Sequence, residues 1–163
     1  MRTYVFSLFL LLISGSGCSP GDSSLSEAQR NQIESEVSAM MDDLVAGVTA
    51  IDLDHAFTHY DPNDFLAFNQ GSQFRSAEAF KAAWRPGFEN TATWAVRWTW
   101  KDITPLSAQA ALFRGTTSVS QTLKDSQTTL HREGYVTVLA ERKGDGWTIT
   151  HFHQSWKEVD PSQ

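Results

Sequence analysis

Apolar residues recur at helical spacing through the first half of the chain and at alternate positions through the second. Ile33, Val37, Met40, Met41, Leu44, Val45 and Val48 form one stripe, opposite a side of Gln, Asn, Glu and Asp. Ser24 with Glu27, and Ser26 with Gln29, are capping-box pairs ahead of it, so an amphipathic helix of about 20 residues is expected. Asp52 caps a short second helix carrying Leu53, Ala56, Phe57 and Tyr60, which Asp61-Pro62 stops because the residue before proline leaves the helical region. Phe65 to Phe68 and Gln73-Phe74 flank Asn69-Gln70-Gly71-Ser72 as a small hairpin. Ser76 opens a third helix, with Ala77, Phe80, Ala83 and Trp84 inward and Pro86-Gly87 as its end.

Alternation then takes over. Trp94, Val96, Trp98 and Trp100 alternate with Ala95, Arg97, Thr99 and Lys101, a strand with one aromatic face. A turn is expected over Asp102 to Pro105, a strand from Ser107 to Val119, a polar loop over Ser120 to Gln127 and a strand from Thr128 to Lys143. Gly144-Asp145-Gly146 signals a hairpin into the final strand. That strand places Trp147, Ile149, His151, His153 and Ser155 on one face and Thr148, Thr150, Phe152, Gln154 and Trp156 on the other. Three helices in the first half and an antiparallel meander after them make an α+β plan, with the helices covering one face of a curved sheet. No internal repeat or second domain is visible.

Composition narrows the classes. The 163 residues are 40% hydrophobic and 12% aromatic, which is globular, and the net charge of −6 leaves no basic stripe for nucleic acid. Met1-Arg2, the apolar run Val5 to Ile13 and the small residues Ser14 to Gly17 have the layout of a secretory signal too short to span a bilayer. The one cysteine, Cys18, follows at the expected cleavage point, so no disulfide forms within the chain. This leader resembles that of bacterial lipoproteins, which implies a signal peptide over 1–17, lipidation of Cys18 and a tether over 18–24. Loss of 1–17 removes only Arg2 among the charged groups and takes the charge to −7, so attachment rests on acyl chains. Ser19 after the cysteine, in place of Asp, implies the outer membrane, on the periplasmic side of the cell envelope.

Tyr60-Asp61-Pro62-Asn63-Asp64-Phe65, Gly71 in the small hairpin and the terminal Gly-Trp-x-Ile-x-His-x-His-x-Ser resemble the SnoaL-like branch of the NTF2-like superfamily. The terminal motif is also similar to the end of the association domain of calcium/calmodulin-dependent protein kinase. The resemblance implies a cone-shaped domain over 25–158, followed by a tail, with a pocket between helices and sheet. It also implies a homodimer through the sheet's outer face. It implies no single activity, because one fold hosts many chemistries.

With a two- or four-residue hairpin loop, Val136, Val138 and Ala140 share a face with Ile149, His151 and His153. His151 and His153 then stand about 7 Å apart on the cavity side. A zinc site needs a third protein ligand, and this parity puts His131 on the other face unless Gly134 makes a bulge, so no metal is assigned. Acid–base candidates are His153 and His151, with Asp61 and Tyr60 placed at the pocket mouth by the resemblance. Trp84, Trp94, Trp98, Trp100, Phe68 and Ser155 are the candidate ligand-binding residues, and Phe152 and Trp156 are expected to meet a dimer mate. No nucleophile motif or phosphate loop implies a cofactor.

The leading expectation is a lipid-anchored domain that binds a small apolar molecule or serves as a dimeric interaction module. The alternative is a small-molecule isomerase, cyclase or hydrolase. Cys18→Ser is expected to abolish acylation and release the domain from membranes, read by fatty-acid labelling and membrane fractionation.

Overall fold

A computed structural model describes residues 25–160. The signal peptide, Cys18 and the tether lie outside the described residues, as does Ser24 of the first capping box. Helix α1 (Glu27–Thr49) begins at the second box: Ser26 Oγ accepts from the Gln29 N–H and Gln29 returns its side-chain oxygen to the Ser26 N–H. Its apolar stripe is buried at Ile33, Val37, Met40, Met41 and Leu44. Helix α2 (Leu53–Ala56) is capped by Asp52. Gly47 lets it close on α1, since a Cβ there would stand 2.5 Å from the Ala56 nitrogen.

Strands β1 (Leu66–Asn69) and β2 (Ser72–Phe74) form the small hairpin, with Gln70 and Gly71 both at positive φ as a type I′ turn requires. Helix α3 (Ala77–Glu89) does not stop at Pro86. It runs one further turn and buries Phe88 against Trp84 and Trp94, which offsets the proline's lost hydrogen bond.

Strands β3 (Thr91–Ser107), β4 (Ala110–Leu123), β5 (Thr129–Lys143) and β6 (Gly146–Glu158) form the meander. The expected turn at Asp102–Pro105 is instead continuous strand, paired with β4 through Asp102↔Arg114 to Pro105↔Ala111. Proline is tolerated there because β3 is the sheet's edge and has no ladder on its far side. Likewise β4 continues through Ser120 to Leu123, shortening the polar loop. The sheet order is β2-β1-β6-β5-β4-β3, with β1 parallel to β6 and every other pair antiparallel.

Two one-residue bulges decide which side chains face the helices. Between Ala140↔Ile149 and Leu139↔His151, β6 carries an extra residue, Thr150. Between Trp98↔Thr117 and Trp100↔Thr116, β3 carries the extra Thr99. A bulge exchanges the faces for every residue beyond it. Trp147 and Ile149 face inward, and past Thr150 the inward residues are Phe152, Gln154 and Trp156. Trp94, Val96 and Trp98 face inward, and past Thr99 the strand turns Lys101 and Ile103 toward the helices in place of Trp100. The bulge in β6 coincides with a change of edge partner. Ile149 exchanges backbone hydrogen bonds with His59 and Asp61, whereas His151 to Gln154 pair with β1.

Helix α1 is pinned across this inner face by charged groups. Lys101 Nζ donates to Ser38 and Asp42, each at 2.8 Å. Asp43 accepts from His55 at 2.9 Å and His59 at 2.8 Å. Glu36 accepts from the Trp147 indole at 2.8 Å and from the Arg142 guanidinium. Trp147, Gln32 and Arg142 together draw the Glu36 pKa from 4.5 down to about 2. The depressed value stabilises the fold fully above pH 4.5, and the contribution is lost as pH falls toward 2. Glu36→Gln is expected to cost about 2 kcal/mol at neutral pH. Acid unfolding followed by circular dichroism should then be shallower across that window.

Candidate functional site

Between α1, α3 and the inner face of the sheet lies a cavity of about 110 Å³. Met41, Leu44, Val45 and Val48 of α1 roof it, Phe57 and Tyr60 close one side, and Trp84 and Phe88 of α3 close another. Its floor is a grid set by strand pairing. One row runs Trp98, Thr117, Gly134, Trp156, and the next runs Val96, Val119, Arg132. Gly134 leaves room for Thr117, whose Oγ1 would stand 2.5 Å from a Cβ there. Gly115 does the same for Trp98, whose ring would lie 2.6 Å from an added Cβ. Trp84 and Trp94 stack with centroids 6.1 Å apart.

Six buried polar atoms on residues of this lining have no hydrogen-bond partner: Nε1 of Trp84, Trp94 and Trp98, Thr117 Oγ1, Arg132 Nε and Gln154 Oε1. A buried polar group without a partner costs about 1–3 kcal/mol, so these six are the polar atoms of the lining with unused hydrogen-bonding capacity. The side chains are otherwise apolar. None of the described residues lining the cavity is Asp, Glu or His.

A model of the SnoaL-like domain matches residues 37–157. The chain belongs to the SnoaL-like domain family. Solved structures show the same fold at low sequence identity. An NTF2-like protein of unknown function from Pseudomonas putida KT2440 is 20% identical, with a TM-score of 0.66, covering 82% of this chain and 92% of that one. A ketosteroid isomerase-like protein from Erwinia carotovora atroseptica SCRI1043 is 16% identical at TM-score 0.67, covering 80% and 99%. Hexachlorocyclohexane dehydrochlorinase LinA-type3 from Novosphingobium barchaimii LL02 is 13% identical at TM-score 0.69, covering 83% and 96%. Among curated proteins, none matches the sequence.

The cavity of this SnoaL-like domain brings together only part of the expected set. Trp84, Trp94, Trp98 and Tyr60 line it. Trp100 does not: the Thr99 bulge turns it outward, and it is 53% exposed. Phe68 pairs with His153 and packs its ring 5.9 Å from His151 on the outer face. His151, His153 and Ser155 also lie outside, because the Thr150 bulge reverses the expected parity. For the same reason Phe152 and Trp156, expected at a dimer contact, line the cavity.

The four acid–base candidates therefore occupy separate places. Tyr60 stacks on Phe57 at 4.6 Å, and burial raises its pKa beyond the ordinary phenol range. Asp61 is buried but spoken for: its Oδ1 accepts from the Asn63 and Asp64 N–H groups and its Oδ2 from Lys143 at 2.7 Å. Those bonds, Lys143 first, hold its pKa down and fix the turn that interrupts pairing along β6. Burial, and secondarily His153, lowers the His151 pKa on the far side of the sheet. His131 shares that outer face, with no bulge at Gly134. It stands six residues along β5 from the partner of His153, roughly 20 Å away, so distance rather than face keeps these histidines apart.

Arg132, Thr117, Gly134 and Gln154 are the site residues that sequence reasoning missed. Arg132 and Gly134 had a readable signal, since they continue the alternation of Val136, Val138 and Ala140 toward the start of β5.

Proposed function

We propose that this SnoaL-like domain binds a small apolar molecule and does not perform acid–base catalysis with the residues its sequence singled out. The observation that carries this reading is the cavity itself: an aromatic and aliphatic lining whose described residues include no carboxylate or imidazole. The one phenol there, Tyr60, is held neutral by burial and is a poor base at neutral pH. The enzyme reading borrows its support from relatives such as the dehydrochlorinase and the isomerase-like protein, and a shared fold at such identity carries no chemistry. On the leader reading, the domain is held at a membrane through lipidated Cys18.

Toluene is expected to raise the melting midpoint by several degrees at tenfold excess over its dissociation constant, and to change tryptophan fluorescence. Val119→Phe, which adds a ring to the floor, should suppress both effects. The reading fails if no single-ring apolar compound produces either.

A homodimer through the outer face is the second proposal. The row Trp100, Thr116, Tyr135, Ser155 leaves Trp100 53% and Tyr135 41% exposed, and Phe68 beside His153 is 38% exposed. Sedimentation equilibrium should give a dimer that Trp100→Glu converts to monomer. A monomeric wild-type domain would contradict it.

A further inference from the structure

We propose that the ligand is a small apolar monoanion, an aromatic or short aliphatic carboxylic acid, held through its carboxylate by Arg132. This rests on the cavity reading above and adds the identity of the polar end. Arg132 is the one charged side chain among the described residues lining the cavity. None of the ion pairs among the described residues engages it. Glu158 stands opposite it in the β5–β6 register at the exposed end of the strand, without forming an ion pair with it, so a partly buried guanidinium in this lining gains from an anion that reaches it from the cavity.

The guanidinium is also oriented. Its Nη1 donates to Gln121 Oε1 at 2.8 Å, Gln121 Nε2 donates to Thr91 Oγ1 at 2.6 Å, and Thr91 Oγ1 donates to the Gly87 carbonyl at 2.6 Å. Gln121 and Thr91 are buried, and the Arg132 guanidinium lies 5.8 Å from the Trp156 ring centroid. Gln121 takes Nη1 and Nε has no partner, so the Nε–Nη2 edge remains, and that edge matches two carboxylate oxygens side by side.

Three indole N–H groups and Arg132 Nε can only donate, Thr117 can do either, and Gln154 Oε1 alone is left as an acceptor. The complement of that set is rich in acceptor oxygens. One cation favours a single negative charge over a phosphate dianion. Size sets an upper limit: at about 110 Å³, below the roughly 150 Å³ of a cavity that holds benzene, the apolar part is at most one ring or a short chain.

Calorimetric titration with benzoate, benzamide and toluene tests this on the intact domain. Benzoate should bind about tenfold more tightly than isosteric benzamide, with the preference shrinking as salt is raised. Arg132→Met should abolish that preference, while Arg132→Lys keeps part of it. If toluene binds and benzoate gains nothing over benzamide, the anion proposal is overturned and the cavity reading stands. If none of the three binds, both fall. The comparison in the unaltered protein needs no variant, so a misfolded Arg132→Met leaves the test intact.

Discussion

Every inward position of this sheet depends on a local constraint: side chains alternate along a strand, and one extra residue exchanges their faces. Thr150 does this in β6 and Thr99 in β3. Without Thr150, a cavity wall would hold His151, His153 and Ser155. With it, the wall is Phe152, Gln154 and Trp156. Without Thr99, Trp100 would extend the aromatic floor. With it, Lys101 reaches across to Ser38 and Asp42 and ties α1 down as the roof. The same two residues thus remove imidazoles from the cavity and supply a pin that encloses it.

The consequence is chemical. Carboxylates and imidazoles are the commonest general bases, and in the first half of this chain several of them serve the scaffold. Asp61 fixes the turn beside β6, Asp43 joins α1 to His55 and His59, and Glu36 joins α1 to Arg142 and Trp147. Three carboxylates that could have served a site instead hold the helices over the sheet. What remains inside is hydrophobic surface, indole N–H donors and one guanidinium.

Much of the fold was legible in the sequence, because periodicity reports burial directly. The α1 stripe, the Asp52 and Ser76 caps and the alternation of the meander all follow from which residues water must leave. Element ends were harder. Pro86 and Pro105 are strong local stop signals, yet Phe88 burial and an unpaired sheet edge override them. The site was the least legible part. A bulge has no composition of its own, since Thr99 and Thr150 sit in their strands like any other threonine, and only pairing with a neighbour reveals them. Most of the error falls past a bulge: Trp94 and Trp98 precede one and lie inside, Trp100, His151 and His153 follow one and lie outside, and Phe68 on β1 lies outside without one.

Stability and occupancy are linked through the orphaned donors. Burying polar groups without partners opposes folding by about 1–3 kcal/mol each. Opposing that cost is an aromatic cluster, with Phe80 packed among Phe57, Tyr60, Phe65, Phe74, Trp84 and Phe152, whose ring contacts do not involve those atoms. A ligand that completes the donor set returns part of that free energy in addition to its hydrophobic contribution, and so stabilises the fold by more than an apolar filler of equal size. The cavity floor is thus the natural place for specificity: an apolar filler relieves packing alone, whereas an oxygen-bearing one also relieves the donors around Arg132.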